Sequence, residues 1–495
     1  MQDEEEHLNP TDEITLETVK SRAVKGVIML TGRTFVLSFI SLLATGLLTV
    51  FLEPSQFGIF WIVSAVVNFL AYFSDIGLAA ALIQKKETPQ EEDLKTTFTI
   101  QQTLVLIILA ILFLGTPLIT KIYHLTPDGK YLLYALGLSL LFSSLKTIPS
   151  VLLERDLEFG KLVFPQVLEN LIYNVVAVFL AWKDFGVASF TFAVLARGLV
   201  GLIVIYILKP WKPGFAFSKG SLKKLLSYGL PYQANTLLAT IKDDGMTAVL
   251  GGILGPAGVG ILGWAQKWGY APLRFFMDHV IKVTFPAFAR MQENKYELEK
   301  TVNRSIFFIC FLVFPTLIGL LIVAPVLVEV IPKYTKWTPA LIPLSLIGIN
   351  TIFSSATTEI TNLLNAIGKI KITFRLMIMW TVLTWLLVPG LAYRFGVNGA
   401  AFGYALISLT GIVALYIARK HVKFSILQSA GKPAISTAVM AIILLALRSL
   451  LPISFLSVWL MMIVGIIIYF VSAYLIIGIS IVSDVKQSFK TLFSK

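Results

Sequence analysis

Cysteine is nearly absent: Cys310 alone in 495 residues, inside an apolar run. No intramolecular disulfide can form, and a small apolar filler is the expected role. Histidine is scarce too. His7, His124, His279 and His421 are scattered with no ligand-like spacing, which excludes a histidine metal centre and leaves no cofactor to infer. Charge is the third deficit. Only 14% of residues are charged, against about a quarter in soluble proteins. Long polar loops are missing as well, so no folded catalytic domain fits between the apolar runs. The amino-terminal stretch "MQDEEEHLNPTDEITLETVKSRAVKG" lacks the short apolar core of a signal peptide and is expected to be a retained cytoplasmic segment.

Apolar residues fill the space: 56% of the chain, with mean hydropathy +0.81. Runs of about 20 apolar residues, the length that crosses a ~30 Å hydrocarbon core, recur from Val24 to Gly478. The expected fold is an all-α polytopic membrane protein. Proline, glycine and charge clusters divide it into about fourteen helices: 24–52, 57–83, 96–120, 131–153, 162–182, 185–208, 224–252, 257–288, 303–330, 338–366, 370–393, 397–418, 433–451 and 455–479. With this division, 27 of the 41 Lys and Arg fall on the side that holds both termini, 7 on the opposite side and 7 within spans. The bias places both termini in the cytoplasm of a cell (inner) membrane. It also accounts for the net charge of +13 without a nucleic-acid partner.

An internal repeat organises the helices. "FGVASFTFAVLARGLVGLIVIYILK" (185–209) and "FGVNGAAFGYALISLTGIVALYIAR" (395–419) share eight of 25 positions, among them Gly186/Gly396, Phe192/Phe402, Gly201/Gly411 and Tyr206/Tyr416. "LEPSQFGI" (52–59) likewise matches "LGPAGVGI" (254–261). The shifts pair span one with seven and six with twelve, giving two parallel six-helix lobes plus two C-terminal helices. The expected division is an N-terminal segment (1–23), N-lobe (24–208), inter-lobe loop (209–223), C-lobe (224–418), loop (419–432), spans thirteen and fourteen (433–479) and tail (480–495). Parallel repeats of this kind are a transporter architecture with the site near the midplane.

Two stretches carry a family resemblance. "LEPSQFGIFWIVSAVVNFLAYFSDIGLAAALIQ" in span two, and "DDGMTAVLGGILGPAGVGILGWAQKWGYAPLRFFMDHVIKVTFPAFARMQ" in spans seven and eight, are similar to the polysaccharide-transporter branch of the multidrug/oligosaccharidyl-lipid/polysaccharide exporter superfamily. One departure is Trp264, where the branch commonly has Tyr. The resemblance implies a flippase that moves a polyprenyl-(pyro)phosphate-linked oligosaccharide to the outer leaflet by alternating access. A cation-coupled multidrug exporter and a membrane-embedded glycan polymerase are the alternatives. The partners implied are the lipid-linked oligosaccharide and membrane lipids. A coupling ion, Na+ or H+, and glycan polymerase or glycosyltransferases working on the same substrate belong to that reading.

Charges inside the spans are the candidate site, because each costs upward of about 2.5 kcal/mol on insertion scales. Arg33, Arg197 and Lys267 lie deepest, and with Lys242 and Arg274 they form the expected set of cavity cations for an anionic headgroup. Structural pairing with Asp75, Glu169 or Asp278 is the competing explanation. Asp243, Asp244 and Asp75 are candidate ion-coupling or cavity acids. Asn235, which matches Arg33 across the repeat, and Asn174 are candidate polar lining. Gln101, Gln102, Asn350, Glu359 and Asn362 fit sugar contacts less well than interhelical hydrogen bonds. Trp182, Trp211, Trp337 and Tyr393 are expected in the interfacial belts.

Overall fold

The computed structural model describes residues 16–478, apart from the side chains of residues 16–31, 35, 230–232, 234–236 and 238–239. The expected terminal segments 1–15 and 479–495 lie outside the described residues. Among those described there are helices and no strands. In chain order they are α1 (Leu16–Phe51), α2 (Pro54–Ala71), α3 (Leu78–Gln84), α4 (Glu91–Tyr123), α5 (Pro127–Leu145), α6 (Thr147–Arg155), α7 (Phe159–Trp182), α8 (Ala188–Leu208), α9 (Lys219–Thr240), α10 (Met246–Met291), α11 (Lys295–Val330), α12 (Leu341–Ala366), α13 (Ile370–Leu409), α14 (Gly411–Arg419), α15 (Ile426–Leu450) and α16 (Phe455–Ile477).

Helix starts follow local chemistry. Pro54 occupies the first turn of α2, where its missing N–H costs nothing, and Glu53 forms a capping box with Gln56. Thr126, Ser425 and Ser454 cap α5, α15 and α16 through their hydroxyls. The outer surface is the inverse of a soluble protein's: Leu114 is 78% exposed and Leu475 76%. Helices present such side chains to lipid because their backbone polar groups are satisfied internally.

Eleven helical segments among the described residues are long and apolar enough to cross a membrane, or twelve if α5 and α6, bent by 41°, are one span. That bend falls at Lys146, just before Pro149, where the sequence leads one to expect a kink. The expected fourteen is reached only by dividing two continuous segments, Ile241–Met291 and Ile370–Arg419. Each passes through a left-handed glycine, Gly255 (φ 66°) or Gly396 (φ 61°), where the sequence places its turns. Gly186, matched to Gly396 in the expected repeat, has φ 56°, so both glycines take a positive φ that is open to glycine at no steric cost.

The chain separates into two compact units, Met1–Pro256 and Ala257–Lys495. This boundary differs from the expected one at 209–223, since α9 and the start of α10 pack with the first unit. The reason is close backbone contact. A Cβ on Gly229 would lie 2.8 Å from the Gly77 carbonyl oxygen, and one on Gly58 only 1.6 Å from that of Pro256. Tyr72 donates its hydroxyl to the Gln233 carbonyl, and Gln233 Nε2 returns a bond to the Tyr72 carbonyl at 2.6 Å. Gly58→Val is therefore expected to cost about 1–3 kcal/mol through overpacking against backbone that cannot yield, read as a lower melting temperature in detergent.

In the first unit Leu78, Leu82, Phe98, Ile148 and Leu225 form a core that joins α3, α4, α6 and α9. Trp211 closes it, its ring 5.2 Å from Phe98, which is packing where an interfacial belt was expected. In the second unit α15 and α16 pack on α11 through Phe311, Met440, Leu444 and Met461, and Tyr469 donates to the Phe311 carbonyl at 2.7 Å. Trp337 also departs from its expected belt position. It is fully buried and stacked on Trp264 at 5.5 Å. Trp182 and Tyr393 are exposed, and Lys183 lies 4.4 Å over the Trp182 ring.

Candidate functional site

In the first unit α7 carries a polar stripe along one face. Gln166, Glu169, Asn170, Tyr173 and Asn174 recur at three- and four-residue intervals, which superimposes them on a helix. Cations from three other helices converge on it. Arg33 of α1 donates through Nη1 to the side-chain oxygen Oε1 of Gln166, while its Nε is buried with no partner among the described residues. Lys146, at the α5–α6 bend, reaches Glu169 Oε1 at 2.6 Å. Arg197 of α8 has its Nε 3.7 Å from Glu169 Oε2. Glu169 fits only because α8 has no side chain opposite it: a Cβ on Gly201 would lie 1.9 Å from Oε1. Two cations thus share one carboxylate and a third is held by an amide on the same stripe, so the four charges sum to two positive in excess.

Asn174 donates to the Asn170 carbonyl at 2.8 Å and to its side-chain oxygen at 3.0 Å, and Asn170 in turn donates to Ser41 of α1 at 3.4 Å. These amides join helices as well as lining the stripe. Gln166 and Tyr173 belong to the site although they were not singled out in the sequence. The three- and four-residue spacing with Glu169, Asn170 and Asn174 was the signal that could have found them.

The consecutive charges Lys242, Asp243 and Asp244 occupy a π-helical turn, Ile241–Gly245. The wider turn takes the three out of α-helical register. Lys242 Nζ lies 3.7 Å from Asp243. Asp244 bonds to Asn68 of α2. The Asp243 side chain is 74% exposed. Asp243→Asn is therefore expected to change stability by less than about 1 kcal/mol in thermal unfolding, as for other exposed pairs. Asp75 accepts from Ala79 N at 3.2 Å and Gln101 Nε2 at 3.3 Å, anchoring the start of α3 with no cation beside it among the described residues. The Asn235 side chain lies outside the described residues.

In the second unit Lys267 and Arg274 are exposed on α10. Seven residues apart, they share one helical face about two turns apart. Neither forms an ion pair among the described residues; those pairs all lie in the first unit. No group of three or more His, Cys, Asp or Glu among the described residues could hold a metal ion. The other polar candidates hold helices together: Ser144 donates to Gln102 at 3.1 Å, and Asn350 to the Tyr404 carbonyl at 2.7 Å.

The profile of a family described as "Polysaccharide biosynthesis protein" matches residues 47–341. The lipopolysaccharide biosynthesis protein WzxC of Escherichia coli is 23% identical over 405 residues, 81% of each chain. The succinoglycan biosynthesis transport protein ExoT of Rhizobium meliloti is 24% identical over 314 residues, 63% of this chain and 62% of its own length. Among solved structures, the lipid II flippase MurJ in an inward closed conformation superimposes with a TM-score of 0.74. It is 15% identical, over 90% of this chain and 98% of that one, a likeness of fold.

Proposed function

Since the chain belongs to the polysaccharide biosynthesis protein family, we propose that this multi-pass membrane protein is a flippase for a lipid-linked oligosaccharide, carrying its anionic headgroup from the cytoplasmic to the outer leaflet. WzxC and ExoT, named for lipopolysaccharide biosynthesis and succinoglycan transport, support the substrate class. The observation that carries the reading on this chain's own residues is the cationic excess along α7. Arg33, Lys146 and Arg197 outnumber Glu169, and a pyrophosphate supplies the negative charge that such a cluster lacks. In this reading the cations are placed by protein partners first and shared with the ligand second. The expected inner-membrane location, cytoplasmic termini and alternating access of two lobes belong to the same proposal, as does coupling to an ion gradient.

A drug exporter of cationic compounds fits less well, because a positively charged site repels its substrate. A membrane-embedded glycan polymerase would need a long outer loop for its acceptor chemistry, and the interhelical connections here are short.

Ligand-dependent thermal stabilisation of the detergent-purified protein tests the proposal. A polyprenyl-pyrophosphate sugar is expected to raise the melting temperature, while a lipophilic cation such as tetraphenylphosphonium leaves it unchanged. Stabilisation by the lipophilic cation alone would overturn the flippase reading in favour of the drug exporter.

A further inference from the structure

The segment that joins α8 to α9 is laid as a strap along the start of α4. Ala216 N donates to Thr99 Oγ1 at 3.0 Å and Ser218 N to Thr96 Oγ1 at 3.1 Å, so alternate backbone amides meet hydroxyls one helical turn apart. Gly214 sits against the Lys95 stem, where a Cβ would lie 3.0 Å from Cε. Lys209 pairs with Asp156 at 2.7 Å and Ser221 donates to Asp93, which pins both ends of the strap. With the backbone held this way, the side chains alternate as in an extended chain. Phe215, Phe217 and Lys219 are exposed, whereas Ala216 and Ser218 between them are half-buried.

The two phenylalanines are only lightly packed. Phe215 meets Phe98 at 5.7 Å between ring centroids, yet it is 77% exposed, and Phe217 is 59% exposed. Their place on α4 says what they face. Thr99, Thr103, Leu106, Ala110 and Phe113 recur at three- and four-residue spacing and share one face of that helix. Leu106 and Phe113, further along it, are exposed as lipid-facing side chains are. The strap lies at the head of this face. The charge-free run of α4, residues 96–120, spans about 38 Å against a hydrocarbon core of ~30 Å. Thr96 and Thr99 therefore stand at the edge of the core, and they hold Phe215 and Phe217 at the same depth.

Charge identifies the occupant. Residues 209–224 contain Lys209, Lys212, Lys219, Lys223 and Lys224 and no acid. Apart from Lys209, all are exposed and form no ion pair among the described residues. At the start of α4, Glu91 holds Lys95 at 2.6 Å and Asp93 holds Lys85, which leaves the exposed Glu92. We propose that the strap is an interfacial anchor for anionic phospholipid. Phe215 and Phe217 enter the boundary between headgroups and acyl chains, and Lys212, Lys219 and Lys223 gather lipid phosphates around them. Aromatic rings favour that boundary, and each Lys near a negatively charged bilayer surface adds attraction. The inference goes beyond the flippase reading and does not depend on it.

The test uses the full chain in nanodiscs and needs no glycolipid. Phe217→Cys carries an environment-sensitive NBD fluorophore, and wild type taken through the same labelling gives the background from the buried Cys310. Nitroxide-labelled phosphatidylglycerol and nitroxide-labelled phosphatidylcholine are compared as quenchers at equal, low mole fraction. The expected result is blue-shifted emission, quenched about threefold more strongly by the phosphatidylglycerol. Lys212→Gln/Lys219→Gln/Lys223→Gln is expected to make the two lipids equal quenchers while the emission stays blue-shifted. Emission typical of water overturns the proposal, as does equal quenching by both lipids with the lysines intact. A preference that survives the triple substitution overturns it too. So does a preference that appears only once residues 2–15, with their six acids, are removed, since the chain's own amino-terminal acids would then occupy the lysines. The same label on Phe215→Cys supplies the reading if Phe217→Cys does not fold.

Discussion

Arg33→Ala is expected to abolish export of the lipid-linked oligosaccharide while the protein remains folded. Among the described residues Arg33 donates to Gln166 and its buried Nε has no partner, so part of its donor capacity is unspent there. A hydrogen bond to a charged group contributes about 1.5–3 kcal/mol, and a guanidinium offers a phosphate two in parallel. Loss of both corresponds to roughly a hundredfold or more in transport rate. Arg33→Lys retains the charge without the planar fork and is expected to fall between wild type and Ala. Flipping of a fluorescent polyprenyl-pyrophosphate sugar in proteoliposomes, with the melting temperature as the folding control, measures the effect. A wild-type rate in Arg33→Ala would remove Arg33 from the site and leave it a fastening between α1 and α7.

Glu169→Gln is expected to have the largest effect on stability. The carboxylate is the shared partner of Lys146 and Arg197, and its side chain is 11% exposed while that of Lys146 is 16% exposed. Gln preserves the shape but leaves a buried ammonium facing an amide, a loss of about 3–5 kcal/mol when one half of a buried pair is removed. Arg197, with a side chain 55% exposed, adds little to that figure. The double variant Lys146→Met/Glu169→Gln should recover most of the loss, because no charge is then stranded. A fall in melting temperature for Glu169→Gln that Lys146→Met reverses would establish the coupling. Additive losses in the double variant would show that the two side chains act separately.

Much of this architecture was legible in the amino-acid string. Apolar run length gave the all-helical membrane class, and the positions of glycine and proline marked turns that the helices bear out. The Gly186/Gly396 match, found as letters, falls on two glycines of positive φ. What could not be read was which polar group meets which. Arg33 and Gln166 are 133 residues apart, and Lys146 and Glu169 come from different helices. The hydropathy pattern records that these residues are polar but not whom they face. Trp337 shows the same limit: its place at a span end suggests the interface, whereas stacking on Trp264 buries it fully.

The sequence by itself determined that this chain crosses a membrane many times, and it carries a Lys/Arg bias between the two sides of the expected spans. Those properties follow from one-dimensional sums, the transfer energies of successive residues and the spacing of helix breakers. Tertiary structure alone decided two things: that the unit boundary falls at Pro256, and that Glu169 is shared by Lys146 and Arg197 while Arg33 is held by Gln166. Each depends on backbone approach at glycines and on the pairing of side chains distant in the chain. Such contacts are set by packing geometry in three dimensions, which the period of a single helix does not encode.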